Sequence, residues 1–383
     1  MFEYSEQQES IRQTMREFAR KEVAPGAAER DAESRFDYDL FRRVGDLGVI
    51  GMMLPEEVGG GDADLLSYCL ALEELARVDL AFSWTTFTSV SAAAAIVNMG
   101  TPEQKQLWME DWVTPVLRGE ATTAGGITEP GAGSDNSRLK TRAGLDGDEW
   151  VINGNKIFIT NAGLENNRGV MVLCLTDPET RRYDLILVPT GTPGYEIGPP
   201  LRKMGLRSSD TRELFFRDCR VPAINRLGVE GTGFEAIMNG FFSSRLVIAS
   251  TALGVAEECL EIASAYAKER VAFGRSIARF QYIQGMLTEM ALNVELGRLI
   301  RDKGVHLCEA GRPFFKEAAM AKWFITESAK RAADSAVQIF GGMGFMDECP
   351  ASRYYRDIRA ATIGEGTTEI QRYVVAREMG LFR

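Results

Sequence analysis

EWVINGNKIFIT, residues 149–160, is the point at which the pattern of this chain changes. Val151 and Ile152 precede an Asn153-Gly154 pair, a strong short-range signal for a two-residue hairpin turn, and Lys156–Thr160 follow as the returning strand. The stretch therefore predicts a β-hairpin. Further runs rich in β-branched and aromatic residues come after it: GVMVLCLTD (169–177), YDLILVP (183–189) and RELFFRDCRVP (212–222), separated by Gly, Pro and charged turns. Residues 121–230 thus read as a compact β domain, a barrel or a sandwich.

Outward from this segment the period is helical on both sides. Ile11, Met15, Phe18, Ala19 and Val23 share one helical face, and APG at 24–26 ends it. DLLSYCLALEELARV (64–78) is a second helix. In GTPEQKQLWMEDW (100–112) Thr101 suits an N-cap, Pro102 the first helical position and Gln104 a capping box. After residue 230, Phe234–Lys268 carries long apolar runs interrupted at Gly254, and FKEAAMAKWFITESAKRAADSAVQIF (315–340) has the broad apolar face of a bundle helix. The expected fold is mainly α with a central β domain: an N-terminal helical domain (1–120), the middle β domain (121–230) and a four-helix-bundle-like C-terminal domain (231–383). At 383 residues the chain is long enough for two or three cores.

Composition narrows the function. A net charge of −10 argues against nucleic acid or an anionic membrane as the main partner. A single histidine, His306, makes zinc sites and Ser-His or Cys-His catalysis poor candidates, and no metal site is expected. Six scattered cysteines without a CxxC pair suggest reduced core thiols and a cytoplasmic protein, and MFEYSEQQESIRQTMREF (1–18) lacks the apolar core of a signal peptide. The uncharged run LAFSWTTFTSVSAAAAIVNMGTP (80–102) is long enough to span a bilayer. Its six hydroxyl residues between Ser83 and Ser91 favour a buried helix instead, with no membrane insertion.

Several short pieces each admit two readings. In ATIGEGTTEIQR (361–372) Glu365 stands between glycines, either as part of a helix N-terminus capped by Thr367 or Thr368, or as a base on a hinge. The glycine-rich GGITEPGAGSD (125–135) is a tight connection or a loop whose N–H groups approach an anionic or heteroaromatic group. ERVAFGRSIARFQ (269–281) sets Arg270 and Phe273 one helical turn apart, suited to a phosphate and a flat ring, or is a helix end at Gly274. QIFGGMGF (338–345) is a helix ending in paired glycines, with an amide donor at Gln338. GTGFEA (231–236) fits a loose dinucleotide pattern, but PAINRLGVE (222–230) replaces the strand that pattern requires, so a nicotinamide-binding fold is disfavoured.

Taken in order, ITEPGAGSD (127–135), INGNKIFITNAG (152–163), KMGLRSSDTRELFFRDCRVP (203–222), ERVAFGRSIARFQ, QIFGGMGF and YRDIRAATIGEGTTEIQR (355–372) resemble the acyl-CoA dehydrogenase flavoproteins over essentially the whole chain. The match is to the short/medium-chain-like branch that keeps its base in the C-terminal loop. The resemblance implies FAD held between the β domain and the C-terminal bundle, usually in a homotetramer whose flavin ADP end touches a neighbouring subunit. On this chain it places Gly125, Gly126, Ile127, Thr128, Gly133 and Ser134 on the isoalloxazine and pyrophosphate side. Phe158, Ile159 and Thr160 flank the ring, with Phe158 standing where many relatives have tryptophan. Arg270, Phe273, Phe280, Gln281, Gln338, Gly341 and Gly342 serve the adenine diphosphate half, and Thr367 and Glu369 meet FAD near the active site.

Glu365 matches the catalytic base. In another branch the base precedes an arginine on the first long C-terminal helix, where this chain has Ser244 before Arg245. The implied reaction removes an α-proton from a saturated acyl thioester while the β-hydrogen leaves as hydride to flavin N5, giving the trans-2-enoyl thioester. The base's own N–H and a ribityl hydroxyl steady the enolate oxygen, and an electron-transferring flavoprotein reoxidises the flavin. Ser134, Phe242, Ser243, Ser244, Arg245 and Gly366 are placed near the substrate and Arg377 near its CoA end; alternatively, Arg245 is a buried partner for an acid. A carrier-protein-bound acyl substrate, an oxidase, and an inactive paralogue serving as a binding subunit are the competing functions.

Overall fold

The computed structural model describes residues 3–382. Helices α1 (Glu6–Phe18), α2 (Ala27–Glu33), α3 (Tyr38–Asp46), α4 (Leu65–Val78), α5 (Leu80–Ser89), α6 (Ser91–Met99), α7 (Pro102–Trp108) and α8 (Thr114–Leu117) come first. Strands β1 (Thr122–Gly126), β2 (Arg142–Asp146), β3 (Glu149–Thr160), β4 (Asn167–Asp177), β5 (Arg182–Pro189), β6 (Tyr195–Ile197), β7 (Thr211–Pro222) and β8 (Arg226–Leu227) follow. Helix α9 (Gly233–Glu269), a small hairpin of β9 (Val271–Ala272) and β10 (Arg275–Ser276), then α10 (Gln281–Glu309), α11 (Phe315–Phe340), α12 (Pro350–Ile358) and α13 (Thr368–Glu378) complete the chain. The protein is mainly helical, with a central sheet between two helical parts.

Local signals decide many of these elements. Thr101 caps α7 with Pro102 at its start and Gln104 closing the capping box. The face begun by Ile11 and Met15 leaves α1 through a π turn at Ala19–Val23 and a 3-10 turn at Ala24–Gly26. The uncharged run at 80–102 divides at Val90 into α5 and α6. Within it the Ser83 hydroxyl donates to the Leu72 carbonyl (2.9 Å), Thr86 to Phe82 (3.0 Å) and Ser89 to Thr86 (2.8 Å). Those hydroxyls are satisfied by backbone, which lets the run bury itself in the helical core.

The sheet runs β6-β7-β3-β2-β4-β5-β8, with β1 added parallel to β4. Alternate residues of β4 divide between two cores. Val170, Val172 and Cys174 face the interior of the sheet, while Met171 and Leu173 join the helical core. A strand covered on both faces reads as a continuous apolar run.

Residues 149–160 do not form the expected hairpin. They are one strand, β3, paired with β7 from Glu149↔Pro222 to Thr160↔Thr211. Asn153-Gly154 sits at a register shift within it, where Asn153 exchanges hydrogen bonds with Asp218 (3.1 and 2.9 Å). Gly154 has φ +146°, and a methyl group there would lie 2.7 Å from the Thr141 Cα. Glycine serves a bulge and a close backbone approach rather than a turn. The turn of the β2–β3 hairpin comes earlier, at Gly147-Asp148 between the paired Asp146 and Glu149.

Two further expectations change. Arg270 and Phe273 are not a helical turn apart: α9 ends at Glu269, and Phe273-Gly274 (φ +51° and +77°) is the tip of the β9–β10 hairpin. Gly254 does not interrupt α9. A methyl group there would lie 2.2 Å from the Glu73 carbonyl oxygen, so the glycine allows α4 and α9 to cross closely. Gly231 (φ +77°) and Gly233 bend the chain into α9.

Candidate active site

Between α12 and α13 a 3-10 turn (Arg359–Thr362) leads into residues 363–367, and the Thr367 hydroxyl caps α13 by accepting from the Ile370 N–H. Glu365 has φ +54° and Gly366 φ +87°. A left-handed glutamate costs roughly 1–2 kcal/mol and persists only where its surroundings hold it. Two buried groups, Lys322 and Gln371, and half-buried Ser244 do so. Lys322 Nζ on α11 donates to the Gly366 carbonyl (2.6 Å), and Gln371 Nε2 on α13 donates to the carbonyls of Gly366 (2.8 Å) and Glu365 (3.1 Å). The carboxylate itself accepts from the Ser244 hydroxyl on α9, Oε2 to Oγ 2.6 Å. On the other side Gly364 rests against Trp84, with space for only a tight methyl contact at 3.3 Å, and Trp84 Nε1 is anchored on Thr251 Oγ1 (3.1 Å).

The electrostatics of this half-buried acid are mixed. Burial pushes the Glu365 carboxyl above the usual carboxylate range; the Ser244 hydroxyl, Arg245 and Lys322 draw it part of the way back. Arg245 is only 6% exposed, and its Nε and Nη1 have no hydrogen-bond partner among the described residues. Its guanidinium lies 4.5 Å from the Phe242 ring centroid, and Phe242 stacks on Phe315 at 3.6 Å. Burial lowers Arg245 to about 10, with Glu365 opposing the shift. Among the described residues Arg245 thus has no acid in a direct ion pair, and the influence of opposite sign on it is Glu365. Ser243 turns its hydroxyl to the Gly240 carbonyl (3.0 Å), and exposed Arg377 pairs with Glu378 (2.9 Å).

A second group gathers where β1 and β3 meet. Gly125 and Gly126 end β1, and the Thr128 carbonyl accepts from the Ile157 N–H (2.9 Å). Beneath this loop lies fully buried Lys156, which donates to the Ile127 carbonyl (3.0 Å) and pairs with Glu129 (2.9 Å). Burial alone would raise Glu129, but Lys156 and the N–H groups of Lys140 and Thr141 outweigh it and hold the carboxyl low. Within a second register shift in β3, between Lys156 and Ile159, Phe158 takes φ +61° and is 65% exposed, followed by buried Ile159 and half-buried Thr160. Gly133 and exposed Ser134 lie on the open side of the loop, with nothing near the positions of Cβ atoms at Gly131 and Gly133. An exposed flat ring beside a loop open to close backbone approach fits a heteroaromatic cofactor with a phosphate chain, and so fits FAD.

The third group lies at the far end of the helices. Tyr266 stacks on Phe340 (4.4 Å), which joins the end of α9, followed by Arg270, to the end of α11, where Gln338, Gly341 and Gly342 stand. Phe273 is 95% exposed on its hairpin tip, edge-on to Phe280 (6.0 Å), and Gln281 opens α10. Among the described residues no hydrogen bond or ion pair joins this group to the Glu365 loop. Thr367 and exposed Glu369 stay with that loop.

Sequence reasoning missed Lys322, Gln371, Trp84 and the Glu129–Lys156 pair. A lysine within the apolar AAMAKWF (318–324) was the available signal, since a solvated lysine belongs on the opposite face.

Family models describe residues 5–116 as the acyl-CoA dehydrogenase N-terminal domain, 124–219 as the middle domain and 231–380 as the C-terminal domain. The human mitochondrial short-chain specific acyl-CoA dehydrogenase is 41% identical over 379 residues, covering 98% of this chain and 90% of that protein. Butyryl-CoA dehydrogenase from Megasphaera elsdenii superposes with TM-score 0.93 at 37% identity, over 99% of both chains. A chain in the structure described as the electron transferring flavoprotein of Acidaminococcus fermentans superposes with TM-score 0.94 at 40% identity, again over 99% of both.

Proposed function

The chain belongs to the acyl-CoA dehydrogenase family, and from that premise we propose that Glu365 is its catalytic base. The protein is an FAD-dependent oxidoreductase that dehydrogenates the CH–CH bond next to an acyl-CoA thioester. The observation that carries the assignment is the 2.6 Å contact between Glu365 and Ser244. The loop acid reaches back to the very helix position where the other branch of the family holds its base, so both routes lead to one point.

A thioester α-proton is weakly acidic, and a carboxylate raised by burial is better matched to removing it. Ser244 and Arg245 favour the ionised form of that carboxylate against burial, while Lys322 and Gln371 fix its backbone. The Glu365 N–H, on the same rigid turn, donates to the thioester oxygen as charge develops there. Bound FAD supplies the acceptor for the hydride leaving the β-carbon, so that the product is the trans-2-enoyl thioester. Ile127, Thr128, Phe158 and Thr160 would hold the ring side of FAD. Arg270, Phe273, Gln281, Gln338, Gly341 and Gly342 would hold the adenine half of the FAD of a second copy of the chain in a homotetramer. Exposure of Phe273 supports that reading.

The substrate is a short saturated acyl-CoA. Two relatives, named short-chain specific and butyryl-CoA dehydrogenase, support this, as does the bulk of Trp84 beside Gly364. An electron-transferring flavoprotein is the acceptor, a reading supported by the Acidaminococcus likeness. The test is anaerobic bleaching of the purified yellow protein by butyryl-CoA, longer acyl-CoAs and acyl-carrier thioesters. Glu365→Gln should keep the colour and slow bleaching by about 10²–10⁴-fold. Bleaching at the native rate by that variant would remove Glu365 from the chemistry.

A further inference from the structure

We propose that Lys322 is a positioning residue that locks the base-bearing turn by clamping the Gly366 carbonyl, an inference that rests on Glu365 being the base. Lys322 is 0% exposed, in the first third of α11, and its Nζ donates to Gly366 O at 2.6 Å. Satisfying that carbonyl does not require a lysine, because Gln371 Nε2 already donates to it at 2.8 Å. A buried ammonium is costly unless its charge is used, and a methionine would fill the same volume without that cost. The recipient is informative: Nζ is spent on the residue next to a left-handed glutamate, where it fixes the Gly366–Thr367 peptide and so holds the turn whose preceding residue carries the carboxylate and the N–H of Glu365.

Charge and geometry act together here. Lys322 is held on α11 and Gln371 on α13, so the turn is pinned from two helices at once. The charged groups acting on Lys322 are Glu365, Arg245, Glu327 and Glu369. Burial lowers the ammonium to about 8, which leaves it predominantly cationic at neutral pH and able to oppose the rise that burial imposes on Glu365. A turn held in a disfavoured backbone region relaxes when a clamp is removed.

The experiment is hydrogen exchange on the FAD-loaded protein, following a peptide that covers 359–372, together with the anaerobic rate of flavin reduction by butyryl-CoA. Lys322→Met should keep its FAD absorbance and its thermal midpoint. Its 359–372 amides should exchange at least about tenfold faster while other peptides are unchanged, and reduction should slow about 10–100-fold with less than a threefold change in substrate affinity. Should this variant fail to fold, Lys322→Gln, which keeps an N–H donor without charge, should show the same pattern in weaker form. Native protection of 359–372 in the folded variant overturns the proposal. So does native reduction by Lys322→Met beside a dead Glu365→Gln, a result that would leave the base assignment standing and remove Lys322 from its support.

Discussion

Glu365 and Ser244 meet although 121 positions separate them, and their bond defines what each does. A hydroxyl donating to a carboxylate favours the ionised form, and such charge-assisted bonds contribute about 1.5–3 kcal/mol. Burial works the other way, so the carboxyl sits above its ordinary value but below where burial alone would leave it. The base acts when ionised, and the rate of flavin reduction should therefore rise with pH through its titration. Ser244→Ala removes the largest opposing influence, so the acidic limb of the pH profile should move upward in pH. On the acid side of that limb the rate should fall by roughly tenfold, with recovery at higher pH. A profile that keeps its position while the rate falls at every pH would show Ser244 acting on substrate placement rather than on the proton. The residue scale was also the most legible. Glu365 between two glycines already implied an unusual backbone, and φ +54° at the glutamate with φ +87° at Gly366 is the conformation those glycines signalled. Lys322 was hidden because a lone lysine on an apolar helix has no local pattern to mark its target, 44 positions away.

At the scale of elements, the order of helices and strands could be read from the change of period, while individual glycines were misread. Asn153-Gly154 carries a hairpin composition, yet the pairing of β3 with β7 runs straight through it. The sequence alone cannot distinguish a glycine needed for a turn from one needed because another backbone passes within contact distance. Thr141 beside Gly154 and Glu73 beside Gly254 are partners that only the fold supplies. The same holds for Phe273-Gly274, where a hairpin tip replaces the expected helix end. Gly254 offers a clean test. In an exposed helix, Gly→Val would be neutral or mildly stabilising by propensity. Here the side chain would have to displace the Glu73 carbonyl at the α4–α9 crossing. Gly254→Val should therefore lose about 3 kcal/mol or more, read as a lower denaturant midpoint of the helical signal, whereas Gly285→Val, at a position open to solvent, should not. Equal midpoints for the two variants would mean that the crossing opens without penalty.

Across the whole molecule, the N-terminal helices are fastened to the C-terminal ones by buried charge. Arg12 and Arg16 on α1 meet Glu74 on α4 (3.1 and 2.7 Å) within the N-terminal part, and from that part Arg20 and Arg77 share Glu258 on α9 (2.7 and 3.2 Å). At the centre Arg301 pairs with Glu73 at 2.8 Å, both fully buried, while Arg298 approaches the same carboxylate at 3.4 Å. Helix α9, which carries Ser244 and Arg245, is packed against this network, so the network bears on how firmly the active-site wall is held. Such a pair adds little net stability when complete but is expensive to break, at about 3–5 kcal/mol, because the remaining charge stays buried. Glu73 feels burial first, which raises it; Arg301 and Arg298 outweigh that and hold it below its ordinary value. A depressed carboxylate stabilises the fold above its unfolded pKa, and that contribution is lost as pH falls through the folded value. Arg301→Met should invert the slope. With the main counter-charge gone, burial dominates, Glu73 is driven upward, and the variant's deficit should be largest at neutral pH and shrink on mild acidification. Replacing both charges, Glu73→Leu with Arg301→Met, should recover most of the lost denaturant midpoint and flatten its pH dependence. If the double variant is as unstable as the single one at every pH, the cost lies in lost packing around α4 and α10, and the charges are incidental to how the two helical parts hold together.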